Sequence, residues 1–454
     1  MPNTLAYIAL IFWPIITLFL FKHLRPIPAS FWTIVGGFLI LPVKTSIDFP
    51  MIPEIDKQSL AGLCALAGCI MTRGVKVRLL PEAGAERWLI VLLLIIPFFT
   101  VLNNQEAVYI GSQLVPGLKL YDSVSIMFRV YISLVPFIIG LQLFKTKNDQ
   151  LELFKLLVIA GIWYSLPILF EIRMSPQLHT WVYGFFPHSF SQQIRFGGFR
   201  PVVFLGHGLI VSMFVVTVLA SSVILWKEKL KTYSFSALAV MSYFIVLLFL
   251  CKSVGPFLLG IGFLIVAVYF KSAWVKGICL IFLLIVYLYP ILGIFDLFPH
   301  QLFIDVAKAF SIDRAESLSF RFFHEGQLLD RANEKFWFGW GDWGRNRLED
   351  SVTDGLWIII FGQSGAFGFA SLFGLLTLSV TRAIRSFKLI ADKTELSLLL
   401  NHALLIAIIM IDQLPNSSLS RGWMWFLIGA LLGRANHIIR ESKKNQVSAE
   451  RTQL

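Results

Sequence analysis

The sequence is poor in charge. Asp, Glu, Lys and Arg make up only 15% of its 454 residues, whereas 57% are hydrophobic. A soluble protein of this length needs a charged surface, but a protein embedded in a bilayer exposes apolar side chains to lipid. A mean hydropathy of +0.74 fits the second class. The scarcity of charge therefore excludes an ordinary water-soluble enzyme and predicts an integral membrane protein.

Cysteine is scarce as well. The four cysteines lie in or beside apolar runs, and none forms a CxxC pair or a metal-binding spacing with histidine. We therefore expect neither disulfides nor a zinc site. The sequence also lacks GxxxxGK[ST], GxSxG and Asp-rich metal motifs, which argues against ATP hydrolysis and serine-esterase chemistry.

Long apolar runs dominate what is present. A helix needs roughly 20 mainly apolar residues to cross about 30 Å of hydrocarbon. Backbone groups in lipid must be satisfied within the segment, so repeated runs indicate helices. We predict an all-α, polytopic helical bundle of about 12–14 spans that forms one transmembrane domain over residues 1–454. The predicted spans are 5–21, 31–47, 60–72, 88–102, 124–143, 151–170, 201–226, 235–250, 257–270, 274–294, 356–380, 398–411 and 423–432.

Basic residues fall in every second connection between these spans, from Lys22 and Arg25 to the tail that begins near Arg434. This is the positive-inside pattern. It places the N-terminus outside and the C-terminus in the cytoplasm, with a disordered cytoplasmic tail at 441–454. Because most of the net charge of +12 lies in these short connections, we expect no nucleic-acid partner.

Two outside connections, 171–200 and 295–354, are long. Loops longer than about 15 residues in a compact protein are usually functional or disordered. The second loop is rich in Phe and Trp, so we expect it to pack and to be partly helical. A helix is predicted over 318–335, with an apolar stripe that comprises Phe322, Leu328, Leu329 and Ala332.

Cations in these outside loops oppose the positive-inside tendency and are therefore candidate ligand-binding groups. Arg195 and Arg200 flank two glycines before a long span, and Arg321 lies in the second loop. Guanidinium groups bind diphosphate through bidentate, charge-assisted hydrogen bonds. The alternative is that the loop cations pair with loop acids such as Asp330 and Glu334.

Charges inside or beside spans are a second set of candidates, because intramembrane charges are costly and usually face a polar cavity or a partner. Arg129, Lys252 and Arg421 belong to this set. For Arg129 the alternative is a structural ion pair with Asp122 or Asp412. For Lys252 it is snorkelling of the ammonium group to the interface.

Possible proton-transfer groups are His207, His324 and Asp354. In a span that begins near Arg200, His207 falls on the same helix face as Arg200, so both side chains would face one cavity. His324, which precedes Glu325, and Asp354 are candidate general bases for chemistry at a hydroxyl group. The alternatives are a packing histidine, a surface pair and a helix N-cap, respectively.

Several segments, taken in order, resemble the O-antigen ligase and O-antigen polymerase superfamily of bacterial surface-polysaccharide enzymes. The resemblance covers roughly residues 90–435 and includes the two large outside loops. The segments are Arg195-Phe-Gly-Gly-Phe-Arg200 leading to Gly206-His207-Gly208, the turn Lys252-Ser-Val-Gly-Pro256, Arg321 followed by Phe338-Gly-Trp-Gly341, Asp354-Gly355 through Gly365, and Ile411-Asp-Gln-Leu-Pro-Asn-Ser417.

The resemblance implies a metal-independent membrane glycosyltransferase without a cofactor, in the bacterial cytoplasmic (inner) membrane. Its donor would be an undecaprenyl-diphosphate-linked oligosaccharide, polymerised at the periplasmic face into O-antigen, capsule or exopolysaccharide. The ligases carry a histidine near the end of the large loop, where this sequence has Asp354, and this favours a polymerase or another polysaccharide transferase. The alternatives are a ligase that transfers polymer to lipid A core, a transporter or flippase of the lipid-linked oligosaccharide, and an anion permease.

The resemblance also implies roles for residues. Arg195, Arg200 and Arg321 would hold the diphosphate, and Arg321 would act in catalysis with His324 or Asp354. The other substrate-binding positions would be His207, Arg129, Lys252 and Arg421. Besides the lipid bilayer, the implied partners include a chain-length regulator and the flippase of the same pathway.

Overall fold

The computed structural model of the chain describes residues 1–49, 52–195, 197–230, 236–349, 351–352, 354–420 and 422–453. Over these residues the chain is a bundle of α-helices with three small hairpins. The helices are α1 Thr4–His23, α2 Pro26–Phe31, α3 Gly37–Ile40, α4 Lys57–Met71, α5 Ala85–Leu102, α6 Leu120–Leu143, α7 Lys147–Met174, α8 Leu178–Tyr183, α9 Gly208–Lys227, α10 Ala237–Leu250, α11 Val254–Tyr269, α12 Ser272–Ile294, α13 His300–Phe310, α14 Ile312–Asn333, α15 Leu356–Ser386, α16 Lys393–Asp412 and α17 Trp423–Gln453.

Eight of the described helices are long and apolar enough to cross a membrane, and the chain is therefore a multi-pass membrane protein. They are α1, α5, α6, α7, α9, α12, α15 and α16. Four shorter apolar helical stretches, Pro26–Ile40, Lys57–Met71, Ala237–Leu250 and Val254–Tyr269, accompany them. Each of the predicted spans overlaps a helix.

Two predicted spans are several residues shorter at one end in the structure. The helical stretch predicted over 31–47 ends at Ile40, because Pro42 and the left-handed backbone of Lys44 (φ 51°) interrupt it. The span predicted from residue 201 begins only at Gly208. Arg200 and His207 therefore do not share a helix face, and that prediction was wrong.

Helix α9 lies at the centre of the bundle and is buried along almost its whole length, packed against α7, α10 and α11. Helix α17 crosses α6 at very short range. A Cβ atom on Gly429 would lie 2.1 Å from the carbonyl oxygen of Phe137, and one on Gly433 would lie 2.4 Å from that of Leu141. These glycines form a GxxxG pair, which allows two helix backbones to approach closely in a membrane.

The connections contain short elements of their own. Three antiparallel hairpins pair β1 Ser46–Phe49 with β2 Ile52–Asp56, β3 Val108–Ile110 with β4 Gln113–Val115, and β5 Ile194–Arg195 with β6 Gly198–Phe199. In the long loop, α14 covers most of the helix predicted over 318–335, and Leu328, Leu329 and Ala332 are buried as the stripe predicts.

The tail predicted to be disordered is helical instead, since α17 continues to Gln453. Residues such as Glu, Lys, Arg, Gln and Ala predominate there and have high helix propensity, and His437 pairs with Glu441 one turn later. These residues favour continuation of the helix beyond the apolar part of α17.

Candidate functional site

One end of the bundle gathers the two long loops and the connections near residues 43, 253 and 413; we call it the loop end. The backbone N–H of Val43 lies 3.4 Å from Nε2 of His179, and that of Leu356 lies 3.0 Å from the carbonyl oxygen of Gln413. These contacts join segments that are far apart in sequence.

The segment between β6 and α9 is held by two buried charged side chains. Oε2 of Glu171 accepts hydrogen bonds from the backbone N–H groups of Val202 and Val203, both at 2.7 Å. From the other side, Nζ of Lys57 donates to the carbonyl oxygen of Phe204 at 2.8 Å. Val203 has a left-handed backbone (φ 47°), which a β-branched residue rarely adopts without such support.

This held segment fixes Arg200 at the loop end. Arg200 is buried, and its Nε donates to Oγ of Ser253 at 2.9 Å. The same hydroxyl oxygen lies 2.7 Å from Oγ of Ser212 on α9. A Cβ on Gly208 would lie 2.6 Å from Cδ of Arg200, so only glycine leaves room for this arginine.

Arg200 has other cations around it. Burial lowers the pKa of its guanidinium to about 10, and the positive charges of Arg195 and Arg321 contribute in the same direction. Lys252 belongs to the same group, because a Cβ on Gly198, the hairpin partner of Arg195, would lie 2.2 Å from Nζ of Lys252. We call Arg195, Arg200, Lys252 and Arg321 the cationic cluster.

Arg321 also borders a cavity of about 350 Å³, which we call the aromatic cavity. Nε of Arg321 lies 3.3 Å from Oδ2 of Asp354. The N-cap of α15 is Gly355, so Asp354 is not the capping residue that the alternative reading proposed. The remaining lining includes Tyr289, Phe298, Phe303, Phe320, Phe322, His324, Glu325 and Pro415.

Besides Asp354, two acid–base residues line this cavity, His324 and Glu325, and their surroundings differ. His324 is buried with its ring centroid 4.2 Å from that of Phe320, and its Nδ1 has no hydrogen-bond partner among the described residues. Glu325 accepts hydrogen bonds from the Tyr289 hydroxyl and, at 3.3 Å, from Nε1 of Trp357. Burial raises the pKa of Glu325 to about 7, and the nearby Asp354 carboxylate adds to the increase.

Arg129 lies in a different cavity, of about 590 Å³, whose other charged lining residues are Asp48, Glu54, Asp56 and Asp342. Its guanidinium lies 2.9 Å from Oδ2 of Asp342 and 5.5 Å from the ring centroid of Trp343. The ion pair proposed as the alternative is therefore present, but with neither Asp122 nor Asp412. Asp122 instead accepts from the backbone N–H of Lys119.

Asp412 is buried and accepts hydrogen bonds from Oγ of Ser418 at 2.5 Å and Nδ2 of Asn416 at 2.8 Å. It thereby fixes the turn that carries Pro415 into the wall of the aromatic cavity.

His207 is not among the residues that line the aromatic cavity. His207 is the N-cap of α9: its Nδ1 accepts from the backbone N–H of Leu209 at 3.1 Å, and its ring packs on that of His188. This matches the packing alternative. Arg421 lies outside the described residues.

Other loop cations pair as the alternative reading predicts or bind backbone. Arg331 lies 2.9 Å from Glu334, and the buried Arg345 donates to the carbonyl oxygens of Pro116 and Glu106. Arg345 thus ties the long loop to the segment that contains β3 and β4.

The Gly339-Trp340-Gly341 segment joins the long loop to α15 through backbone contacts. The N–H groups of Trp340 and Gly341 donate to the carbonyl oxygens of Gly362 and Gln363 at 2.8 and 2.9 Å. The helix kinks next to this contact at Gly365 (φ 66°), where a Cβ would lie 2.3 Å from the carbonyl oxygen of Trp337. The Gly339-Trp340-Gly341 segment therefore has a structural role: it fixes the position of the long loop relative to α15 and the aromatic cavity.

Sequence reasoning assigned no role to Glu171, Lys57 or Ser253, although all three position Arg200. Glu171 and Lys57 are signalled only as polar residues at the edge of an apolar run, whereas Ser253 lies in the turn that the resemblance includes. The described residues contain no group of three or more His, Cys, Asp or Glu side chains placed to hold a metal ion. No protein-family model and no curated protein matches the chain.

Proposed function

We propose that the protein is a membrane glycosyltransferase that polymerises undecaprenyl-diphosphate-linked oligosaccharide repeats at the outer face of a bacterial cytoplasmic membrane. The observation that carries this proposal is the convergence of Arg195, Arg200 and Arg321, which come from two separate loops, at one end of an apolar helical bundle.

The cationic cluster suits a diphosphate. Gathering like charges is unfavourable unless an anion neutralises them, and the burial of Arg200 increases that cost. Guanidinium forks bind diphosphate oxygens in bidentate fashion and stabilise the negative charge that develops as the diphosphate leaves. Nε of Arg200 donates a hydrogen bond to Ser253, and this bond orients the two terminal guanidinium nitrogens of Arg200 before a diphosphate binds.

The aromatic cavity suits the sugar that reacts. Aromatic rings such as Phe298, Phe303 and Phe322 supply apolar faces, and the polar groups Arg321, His324, Glu325 and Asp354 lie among them. A few polar groups in an otherwise apolar cavity fix the orientation of a ligand. Transfer requires the acceptor hydroxyl to be oriented and to lose a proton, which places a base in this cavity.

Arg129 has a separate role in this proposal. It lies with Asp342 and Trp343 in the acid-lined cavity, so it would contact sugar hydroxyls rather than the diphosphate. A polymerase would act alongside the flippase that delivers the repeats and a protein that regulates chain length.

The proposal is tested by deleting the gene in its native host and restoring it with variants. Arg200→Ala and Arg321→Ala should abolish the polymer while the protein remains in the membrane in normal amount. Arg347→Ala, an exposed arginine of the same loop, is the matched control and should restore polymer length.

The form that the repeats take in the deletion strain separates the alternatives. Single repeats that reach the outer side support a polymerase, and repeats trapped inside indicate a flippase. Polymer that forms but is not transferred to lipid A core indicates a ligase. Normal polymer from both arginine variants would contradict the proposal.

A further inference from the structure

We infer that Glu325 is the catalytic base, whose carboxylate takes the proton of the attacking sugar hydroxyl. This inference rests on the proposed glycosyl transfer and adds to it the residue that performs the proton transfer. It is carried by the position of Glu325 in the wall of the aromatic cavity and by the hydrogen bonds that fix its carboxylate.

Three acid–base side chains line the aromatic cavity, and they are not equivalent. Asp354 is engaged by Arg321, whose Nε lies 3.3 Å from one of its carboxylate oxygens. His324 is packed against Phe320 and Phe323, so its ring is fixed by aromatic contacts rather than by a polar partner. Among the described residues, Glu325 alone of the three accepts hydrogen bonds from two neutral donors, one from α12 and one from α15.

These two donors leave Glu325 able to accept a proton. A carboxylate offers about four lone-pair directions, and Tyr289 and Trp357 occupy one on each oxygen. The remaining directions are available to a hydroxyl group in the cavity. The two bonds also fix the side-chain rotamer, which positions the base before substrate arrives.

Arg321 and Glu325 are four residues apart on α14 and therefore lie on the same helix face, one turn from each other. Both line the aromatic cavity. A donor whose diphosphate contacts Arg321 would place its sugar next to the carboxylate of Glu325. An acceptor hydroxyl between the two would lie within reach of both the anomeric carbon and the base.

The reaction balances with this assignment. The hydroxyl oxygen of the acceptor forms a bond to the anomeric carbon, and its proton passes to the Glu325 carboxylate. The bond between the anomeric carbon and the phosphate oxygen breaks, and its electron pair leaves with the diphosphate, which the cationic cluster stabilises. Glu325 then releases the proton to the diphosphate or to water.

The charge state of Glu325 depends on groups from each element packed around it. Tyr289 reaches it from α12, Trp357 from α15 and Asp354 from the residues before α15, while Arg321 and His324 neighbour it on α14. From α13, His300 makes an edge-to-face contact with Phe322, which lines the same cavity. The raised pKa of about 7 gives Glu325 the basicity that a general base needs at neutral pH.

The test uses membranes that contain the full-length protein and the host's own lipid-linked repeats. Glu325→Gln should lower the rate of chain extension by about 10²–10⁴-fold, the usual contribution of a general base. Glu325→Asp should retain part of the rate. Glu316→Gln, on an exposed part of α14, is the matched control and should extend chains normally.

The pH profile separates a base from a structural carboxyl group. The wild-type rate should rise with pH through about 7 and then level, because the base must be ionised. In the Glu325→Gln variant the rate should no longer rise with pH through this range. Tyr289→Phe removes a hydrogen-bond donor that favours the ionised form of Glu325. The rise in rate should therefore move to higher pH.

A further readout does not require activity. Infrared difference spectra of the purified protein between low and high pH should contain a protonated-carboxyl band that Glu325→Gln abolishes. If Glu325→Gln does not fold, the Tyr289→Phe profile decides the question instead.

The outcomes are distinct. If wild-type membranes make no polymer from the native repeats, the proposed function fails. Suppose that the wild type extends chains and Arg321→Ala does not. If Glu325→Gln then keeps the wild-type rate and the wild-type rise of rate with pH, only this inference is overturned. A rise of rate with pH that is unchanged in Tyr289→Phe would overturn this inference as well.

Discussion

Nε of Arg321 and Oδ2 of Asp354 lie 3.3 Å apart, so an ion pair connects helix α14 of the long loop to the residues before span α15. Both side chains are partly exposed, at 44% and 42%. Ion pairs of this kind contribute only about 0–1 kcal/mol to stability. The pair therefore acts chiefly by orienting the Arg321 guanidinium at the aromatic cavity.

Replacement of Asp354 with Asn should thus leave the thermal unfolding temperature nearly unchanged and reduce chain extension partially. Arg321→Ala should abolish extension, because it removes a diphosphate ligand. Since the two residues act as a unit, the double variant should match Arg321→Ala alone. Polymer yield measured for the single and double variants in the deletion strain checks this. An Asp354→Asn variant as inactive as Arg321→Ala would instead point to a direct chemical role for Asp354.

Glu171 provides a second prediction, because its carboxylate satisfies two backbone N–H groups that would otherwise be buried without partners. Each such unpaired group costs about 1–3 kcal/mol. Glu171→Ala should lower the unfolding temperature and release the strained backbone at Val203, which would displace Arg200. The measurement is thermal unfolding in detergent together with polymer yield.

Glu152→Ala is the matched control for Glu171→Ala. Glu152 lies on the same helix, α7, and pairs with the exposed Arg25 far from the loop end. Because Arg25 is largely exposed and Glu152 only partly buried, loss of the pair should change stability little. Equal destabilisation by both variants would remove the argument that Glu171 supports the segment before α9.

The long spans could be predicted from sequence, because an apolar run of about 20 residues is readily accommodated only as a helix in a bilayer. The ends of spans were harder to predict. Pro201 and Gly206 signal that a helix is unfavourable over 201–207, but the hydropathy of this segment is that of a span. The segment is kept non-helical by hydrogen bonds between its backbone and the side chains of Glu171 and Lys57, which are buried and distant in sequence.

Contacts between residues that are distant in sequence also could not be predicted. Arg129 binds Asp342 because α6 and the long loop meet at one cavity, and no local pattern encodes that meeting. The proximity of Arg195, Arg200 and Arg321 agrees with the grouping that the resemblance implies, although their role as diphosphate ligands stays a prediction. The surroundings of Glu325 likewise depend on tertiary packing, which brings Tyr289 and Trp357 to it.

His179 gives a prediction about pH. It is buried, and burial lowers the pKa of its imidazole to about 4 from an ordinary value of 6.5. The folded state therefore holds a neutral ring, while the unfolded state takes up a proton below about 6.5. Stability from this group is fully present above that value and is lost as the pH falls toward 4. Between pH 7 and pH 5 the loss should be about 2 kcal/mol.

Thermal unfolding at a series of pH values tests this prediction. His179→Gln should destabilise the protein at pH 7, because it removes the ring that contacts Val43 and Phe185. It should also flatten the dependence between pH 7 and pH 5. An unchanged slope in this variant would show that another group causes the loss of stability.

The orientation of the bundle is the last prediction and the one on which the diphosphate site depends. The basic connections predict that the loop end faces outward and that the opposite end faces the cytoplasm. Glu316→Cys on α14 and Lys388→Cys after α15 place exposed thiols near the two ends. Three of the native cysteines are buried, and Cys64→Ser removes the partly exposed one. A membrane-impermeant maleimide should label Glu316→Cys in intact spheroplasts, and Lys388→Cys only after lysis. The reverse labelling would place the cationic cluster in the cytoplasm, where a donor already outside the membrane could not reach it.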